Sequence, residues 1–260
     1  MRIVRLFLAA VAVAGCSERK VERLEWTVMG TVAAVQSRGG SAAETKRAAA
    51  EVKAVFAGIE LLLSAHDPKS ELNALAGLSD DEILRRCSAS VRPCYAAAFK
   101  LRDETGGRFD PRWKGAGTLD LGAIAKGYAV DLACEKVKGV TMELLIDLGG
   151  NLKAVSGQWR TLIAGTDAML TLTGGMACAT SAEYFRGSHI RDAGSGGEPK
   201  GAGRSVTVVH PSSAMLADAL STVMFIFGQE SGEKFTGRHY PEACAVWRKV
   251  DGDGGNRVRQ

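Results

Sequence analysis

Two short segments combine the residue types that bind phosphate oxygens and a hard metal ion. Residues 120–129 (DLGAIAKGYA) form a glycine-broken turn that leads into a helix and carries Asp120 and Lys126. Backbone amides and a lysine at the start of a helix favour anionic phosphate oxygens. Asp218 and Thr222 stand four residues apart, so a helix places both on one face. Oxygen ligands beside a phosphate cradle predict Mg²⁺ bound to a pyrophosphate.

The same residues also have ordinary structural interpretations. Asp120 would serve equally as the N-cap of the following helix, and Lys126 as a solvated surface charge. Asp218 and Thr222 would then form the polar face of a surface helix. Their neighbours are apolar, however: Leu216, Leu220, Val223, Met224 and Phe225. Because a carboxylate near a core is costly unless it binds something, this context favours a ligand site.

Periodicity and turn signals predict the elements that must position these residues. Helices are expected over 42–63, from Ser70 for a short stretch, from Ser79 toward Leu101, and over 124–138 and 213–227. Strands are expected over 25–36, 143–147, 159–164, 169–172, 176–179, 205–210 and 243–248. The polar, glycine-rich stretch 192–203 is expected to be a mobile surface loop. Strands and helices mix without strict alternation, which predicts an α+β fold with mixed or antiparallel sheets packed by helices.

The N-terminal segment has the three parts of a secretory signal in order. Arg2 and Arg5 precede an apolar run, and small residues then lead directly to Cys16. We therefore expect a lipoprotein signal peptide over 1–15, lipidation of Cys16, a tether over 16–23, and one folded domain over 24–260. This predicts a lipid-anchored protein at the periplasmic face of a bacterial membrane. An ordinary secretory signal and a short membrane anchor are the alternatives.

Composition excludes some classes of partner. The 260 residues carry a mild net charge of +4, and 46% are hydrophobic, which is enough for a sizeable core. No basic stripe is interleaved with aromatics, so we expect no nucleic-acid partner. The cysteines after Cys16 match neither a zinc site nor a dense disulfide framework and are expected to be small buried apolar residues. A local disulfide between Cys87 and Cys94 stays possible if Pro93 breaks the helix.

The order of several motifs resembles one known family, the FAD:protein FMN transferases of the ApbE type. The resemblance covers nearly the whole chain after the signal. It rests on Met29-Gly30-Thr31, Ser70-Glu71-Leu72-Asn73, Phe109-Asp110-Pro111, residues 120–129, 147–151 (DLGGN), 179–181 (ATS), His189 with Asp192, 205–209 (SVTVV), and Ala217-Asp218 with Thr222. It implies a single ApbE-like, T-fold-like domain.

The resemblance also implies an activity and residue roles. Such enzymes use FAD and Mg²⁺ to attach FMN through its phosphate to a Thr or Ser of a flavoprotein, and they release AMP. The implied Mg²⁺ ligands are the Ala123 carbonyl, the Asp218 carboxylate and the Thr222 hydroxyl. The implied catalytic residues are His189 and Asp218, with His189 as the acid–base group. The implied FAD contacts are Met29, His66, Arg108, Phe109, Asp110, Asp120, Lys126 and Ile190.

The chain departs from the family pattern around the expected ligand mouth. His66 stands where relatives commonly carry Tyr or Trp, and residues 112–119 replace a connection of several dozen residues. These changes leave the implied metal ligands intact. Two alternatives to protein flavinylation therefore remain: hydrolysis of FAD to FMN and AMP, and non-catalytic FAD binding by a lipoprotein.

Overall fold

The computed structural model describes residues 20–163, 168–182, 190–197 and 199–249. Cys16 and the predicted signal peptide lie outside these residues. The strands are β1 (Glu22–Val28), β2 (Thr31–Arg38), β3 (Glu143–Leu148), β4 (Asn151–Ser156), β5 (Gln158–Leu162), β6 (Met169–Thr173), β7 (Ala177–Ala182), β8 (Arg204–His210) and β9 (Cys244–Lys249). The helices are α1 (Ala42–Leu63), α2 (Glu71–Leu75), α3 (Asp80–Arg86), α4 (Arg92–Glu104), α5 (Ala125–Lys136), α6 (Ala214–Phe227) and α7 (Gln229–His239).

An antiparallel sheet forms the centre of the described part of the chain. Its strand order is β1-β2-β3-β4-β7-β8-β9, while β5 and β6 pair separately as a ribbon. Side chains of β3 alternate between two apolar clusters: Leu144 and Ile146 pack with the helices, and Leu145 packs with Trp159 and Leu172 of the ribbon. Both faces of β3 are buried over residues 144–146, which explains why this run is apolar. The α+β expectation is confirmed.

Helices α1, α5 and α6 cover one face of the sheet. Ser41 starts α1 with a capping box, since its hydroxyl accepts the Glu44 N–H while the Glu44 carboxylate accepts the Ser41 N–H. Ser213 caps α6 by accepting the Leu216 N–H at 3.1 Å. The structure confirms the predicted helices over 42–63, 124–138 and 213–227 to within two residues at each end.

Two predicted elements are divided in the structure. The single strand expected over 25–36 is the hairpin β1–β2, because Met29 and Gly30 both have positive φ (51° and 65°) and make a two-residue turn. The helix expected from Ser79 to Leu101 is wrong as one element. It ends at Arg86, where Cys87 is extended, and α4 restarts at Arg92 with Pro93 in its first turn.

Other differences concern segments without a clear periodic pattern. Strand β4 and helix α7 were not predicted; α7 is mostly polar, so its sequence resembles a loop. The stretch 192–203 is not a free surface loop in its described residues, since the Gly201 N–H donates to the Phe225 carbonyl at 2.9 Å. Cys87 and Cys94 are both free thiols and buried, which rules out the local disulfide, whereas Cys244 is exposed against expectation.

Candidate active site

A cavity of about 800 Å³ lies where both chemistry-bearing segments meet. Its wall includes Asp120 and Lys126 from the turn before α5 and the start of that helix, together with Asp218 and Thr222 from α6. The β3–β4 turn and the β5–β6 ribbon contribute other parts of the wall. The tertiary fold thus brings together two motifs that are far apart in sequence.

Asp218 is held by the helix that carries the other motif. Its side chain is 9% exposed, and Oδ2 accepts the Gly127 N–H at 3.0 Å. The Lys126 Nζ lies 3.6 Å from the same oxygen. Among the described residues, Oδ1 has no hydrogen-bond partner. The alternative interpretation, a polar face on a surface helix, is therefore wrong for Asp218.

Gly127 permits this close approach of α5 and α6. A Cβ on Gly127 would lie 2.2 Å from the Ala214 carbonyl oxygen and 2.7 Å from the Asp218 Cβ. Any larger residue would push the two helices apart. The glycine therefore allows its own N–H to reach the Asp218 carboxylate.

Asp131 fixes the same two helices at a second point, one turn further along α5. Its carboxylate accepts the N–H groups of Ala214 at 2.8 Å and Met215 at 3.0 Å, as well as the Ser213 hydroxyl at 2.9 Å. The buried Lys153 completes the cluster, with Nζ 2.7 Å from Asp131. Sequence reasoning missed Asp131; its only signal was the position four residues after Gly127, on the same helix face.

Lys126 is not a solvated surface charge. Its side chain is 17% exposed, and Nζ donates to the Gly122 carbonyl at 2.8 Å. The ammonium group therefore stays beside the Asp218 carboxylate at the cavity wall. Thr222 lines the same wall, with its Oγ1 3.3 Å from the Ser181 hydroxyl.

Asp120 is not the N-cap of α5, because that position belongs to Ile124. Its carboxylate instead pairs with Lys114 at 2.8 Å and accepts the Gly122 N–H at 2.9 Å. Burial alone would raise the pKa of Asp120, but the Lys114 ammonium and the Gly122 N–H together lower it below the usual value. The carboxylate is therefore negative and already partnered within the cavity wall.

The Gly149-Gly150 turn between β3 and β4 both makes a tight turn and lines the cavity. The Gly150 N–H donates to the Asp147 carboxylate at 2.9 Å. A Cβ on Gly149 would fall 2.4 Å from the Thr31 hydroxyl oxygen, so the backbone of this turn lies in close contact with Thr31 of strand β2. Burial raises the pKa of Asp147, and this hydrogen bond opposes the shift only in part.

The predicted nucleotide contacts divide into two groups. His66, Phe109, Asp110 and Ile190 line the cavity together with Asp120 and Lys126. Met29 and Arg108 do not line it: Met29 packs against the main apolar core from the β1–β2 turn. His189 lies outside the described residues, so its predicted role is unchanged by the geometry.

Arg108 instead joins three parts of the chain. Its Nη2 lies 2.7 Å from Asp192 and donates to the Ile226 carbonyl at 3.0 Å, while the guanidinium stacks 4.1 Å from the Phe227 ring centroid. Burial would raise the pKa of Asp192, but the Arg108 pair lowers it below the usual value. The pair therefore fixes Asp192, and with it the described stretch that begins at Ile190.

Comparison with known proteins shows which family contains the region of the chain that forms this site. A sequence model of the ApbE family matches residues 112–247, which include both motifs and the strands between them. The chain belongs to the ApbE family. The stretch thus assigned contains every predicted metal ligand: Ala123, Asp218 and Thr222.

The similarity extends to a named relative and to solved structures. The FAD:protein FMN transferase of Haemophilus influenzae is 30% identical over 133 residues, which make up 43% of this chain and 38% of that relative. The flavinyl transferase ApbE of Pseudomonas stutzeri is 24% identical with a TM-score of 0.72, over 90% of this chain and 92% of the other. The flavin transferase ApbE of Vibrio cholerae is 20% identical with a TM-score of 0.72, over 90% and 95%. These structures confirm the ApbE fold.

The oxygen ligands of this ApbE-family site suit Mg²⁺ when phosphate or water completes its coordination. No group of three or more His, Cys, Asp or Glu residues in the described part of the chain could hold a metal ion. The predicted ligands Ala123, Asp218 and Thr222 all line the cavity and include only one carboxylate. Mg²⁺ commonly binds proteins through one or two carboxylates and takes its remaining ligands from phosphate and water. The site therefore suits a metal that arrives with, or is completed by, a phosphate-bearing ligand.

Proposed function

We propose that this chain is a Mg²⁺-dependent transferase that moves FMN from FAD to a Thr or Ser hydroxyl of a flavoprotein. The observation that carries the proposal is the meeting of Asp218, Thr222, Ala123 and Lys126 in one cavity. Family membership and the similarity to the FAD:protein FMN transferase of Haemophilus influenzae support the same reaction.

The reaction breaks the phosphoanhydride bond of FAD and forms a phosphoester bond to the acceptor. The acceptor hydroxyl oxygen bonds to the phosphorus of the FMN half, and the bond between that phosphorus and the bridging oxygen breaks. AMP leaves with the bridging oxygen, and the hydroxyl proton passes to a base, for which His189 is the proposed group. Bound Mg²⁺ supplies charge neutralisation on the pyrophosphate oxygens.

Residues of this chain supply the site with metal ligands, a cation and apolar surface for a phosphate-bearing ligand. Asp218 and Thr222 offer oxygen ligands, with the Ala123 carbonyl as the third. Lys126 places a positive charge 3.6 Å from Asp218, so a phosphate entering the cavity gains a cationic partner. Apolar lining residues such as Phe109 and Ile190 offer surface to the rings of a dinucleotide.

One feature favours a second candidate, hydrolysis of FAD to FMN and AMP at the same site. The connection over 112–119 is short, and it lies beside the cavity where an acceptor protein would approach. Hydrolysis needs no docking surface for an acceptor protein, because water is then the acceptor. Storage or delivery of FAD without catalysis is the remaining alternative.

Incubation with FAD, Mg²⁺ and a peptide carrying an Asp-x-x-x-Ser/Thr-Gly-Ala-type motif separates these functions. Transferase activity gives covalent flavin fluorescence on the peptide and one AMP for each attached FMN. Free FMN with AMP would identify a hydrolase, and unchanged FAD that remains bound would identify a storage protein. The same peptide with Ala at the hydroxyl position is the control.

We further propose that Cys16 carries a lipid that holds the enzyme at the periplasmic face of a bacterial membrane. Within residues 20–163, 168–182, 190–197 and 199–249, no helix has the length and apolar character needed to cross a bilayer. The lipid anchor is inferred from the sequence around Cys16 alone. An acceptor flavoprotein at the same membrane would be the macromolecular partner.

Cys16→Ser should remove the anchor, because that sulfur would carry the thioether-linked lipid. We expect the variant in the soluble fraction or retained with its uncleaved signal, whereas the parent sediments with membranes. Membrane fractionation with N-terminal sequencing measures both. A cleaved variant that still sediments with membranes would contradict lipidation at Cys16.

A further inference from the structure

Trp113 is a large aromatic side chain that the fold leaves at the cavity instead of in the core. It is 40% exposed, and it lines the same cavity as Asp120 and Lys126. The other tryptophans of the described chain, Trp26, Trp159 and Trp247, pack against the apolar clusters. An indole left open to a cavity is surface that a ligand can cover.

The turn that carries Trp113 is firmly held. The Trp113 N–H donates to the Asp110 carbonyl at 3.1 Å, and the Asp120 N–H donates to the Pro111 carbonyl at 2.8 Å, which closes the loop. The Arg112 guanidinium donates to the carbonyls of Ala76 and Leu78, each at 2.8 Å. The indole is therefore presented by a preorganised turn, so a ligand need not order it on binding.

The charges around the indole are already paired. Lys114 Nζ lies 5.0 Å from the Trp113 ring centroid and 2.8 Å from the Asp120 carboxylate. Leu162 and Leu170 of the β5–β6 ribbon also line this cavity. The surroundings therefore suit a flat, largely apolar ring system more than a second charged group.

We propose that Trp113 stacks on the isoalloxazine ring of the flavin and is the principal aromatic contact for that ring in this chain. The inference rests on the proposed flavin-nucleotide function. Indole is the most electron-rich aromatic side chain, and isoalloxazine is an electron-poor tricycle, so offset stacking is favourable. Adenine is smaller and less electron-poor, which makes it the weaker partner for the same surface.

Binding measurements on the full-length chain test this contact without any acceptor. Trp113→Ala should weaken the binding of FAD, FMN and riboflavin by a common factor of about 5 to 150, the range for loss of one aromatic stack on a base. AMP affinity should be unchanged, and Trp113→Phe should retain most of the flavin affinity. Leu61→Ala, which truncates an exposed apolar side chain on α1, is the matched control.

A second readout follows from electron transfer between the stacked rings. The parent should quench the fluorescence of bound FMN, and Trp113→Phe should relieve part of that quenching while FMN stays bound. Thermal unfolding of both variants should match Leu61→Ala, which separates loss of stacking from loss of fold.

Unchanged flavin affinity in Trp113→Ala would overturn the proposal, as would a loss of AMP affinity with flavin affinity intact. Flavin binding by the parent without transfer to any peptide would overturn only the proposed transferase function. A parent chain that binds no flavin would overturn both.

Discussion

Asp218 is a carboxylate on an otherwise apolar helix, and its partners come from the neighbouring helix. One oxygen accepts the Gly127 N–H and faces Lys126. The other oxygen has no hydrogen-bond partner among the described residues, and the side chain lines the cavity. This division suits a residue that is anchored on one side and available to a ligand on the other.

Asp218→Asn should remove the ligand charge while keeping the shape and the acceptor for Gly127. We expect Mg²⁺-dependent release of AMP from FAD to fall by at least about a hundredfold, comparable to loss of one group that stabilises transition-state charge. Thermal unfolding should change little. Turnover at saturating Mg²⁺ and calorimetric Mg²⁺ titration in the presence of FAD measure this.

Asp81→Asn is the matched control, because Asp81 is an exposed carboxylate in the first turn of α3. Near-parent turnover in Asp218→Asn would contradict the metal assignment.

His189 and Lys126 should affect different steps. His189→Ala should bind FAD within a few-fold of the parent yet lose transfer by about 10²–10⁴, the usual contribution of a general base. Lys126→Ala should mainly weaken FAD binding, since it removes the cation at the phosphate site. Fluorescence titration of FAD beside in-gel flavin fluorescence separates the two. Normal transfer by His189→Ala would mean that another group accepts the proton.

The packing of α5 against α6 brings residues of both helices together in one site. Gly127 lets them approach, and Asp131 ties the N-terminus of α6 to α5 through two N–H groups and the Ser213 hydroxyl. A displacement at either point would move Asp218 relative to Lys126. The geometry of the site therefore depends on helix packing at residues that need not touch a ligand.

Gly127→Ala should disrupt that contact, because its Cβ would meet the Ala214 carbonyl oxygen at 2.2 Å. We expect a loss of about 1–3 kcal/mol in the free energy of unfolding, typical of overpacking, together with loss of turnover. Gly58→Ala in α1 is the control: a Cβ there meets nothing within 4 Å. That variant should gain about 0.4–1 kcal/mol and keep its activity.

Urea unfolding and AMP release on both glycine variants measure the difference. Equal stability of Gly127→Ala and Gly58→Ala would show that the α5–α6 contact can relax.

Several buried or partly buried carboxylates contribute to the pH dependence of stability. Salt bridges lower the pKa values of Asp80, Asp120 and Asp192, although burial opposes them. Each contributes stability that is present above its unfolded pKa of about 3.9 and lost as the pH falls through its folded pKa. Asp147 has the opposite pH dependence, because burial raises its pKa. Its contribution to stability is present at low pH and is lost as the pH rises through its folded pKa.

We therefore expect Tm to fall on acidification below about pH 4, where the paired carboxyls become protonated. Asp147→Asn should raise Tm at pH 7, because it removes a buried charge, and should have little effect at pH 3.5. Circular dichroism melts across this range measure both, with Asp81→Asn as control. An effect of Asp147→Asn that is independent of pH would contradict burial as the cause.

Local sequence signals determined much of the fold. Helical periodicity over 42–63 predicted α1, and the glycine-broken turn predicted α5. They also identified Asp120, Lys126, Asp218 and Thr222 as residues of one site, because these residue types in these patterns suit a phosphate-bound metal. The segment 147–151 was recognised only as one of the motifs that resemble the family.

The neighbours of those residues depend on contacts between distant parts of the chain. Positive φ at Met29 and Gly30 divides an expected strand into a hairpin, and the extended Cys87 divides an expected helix. Asp131 and Arg108 act through partners more than eighty residues away, at the N-terminus of α6 and at Asp192. Periodicity reports only local geometry, whereas such contacts depend on how distant elements pack, so no local pattern could reveal them.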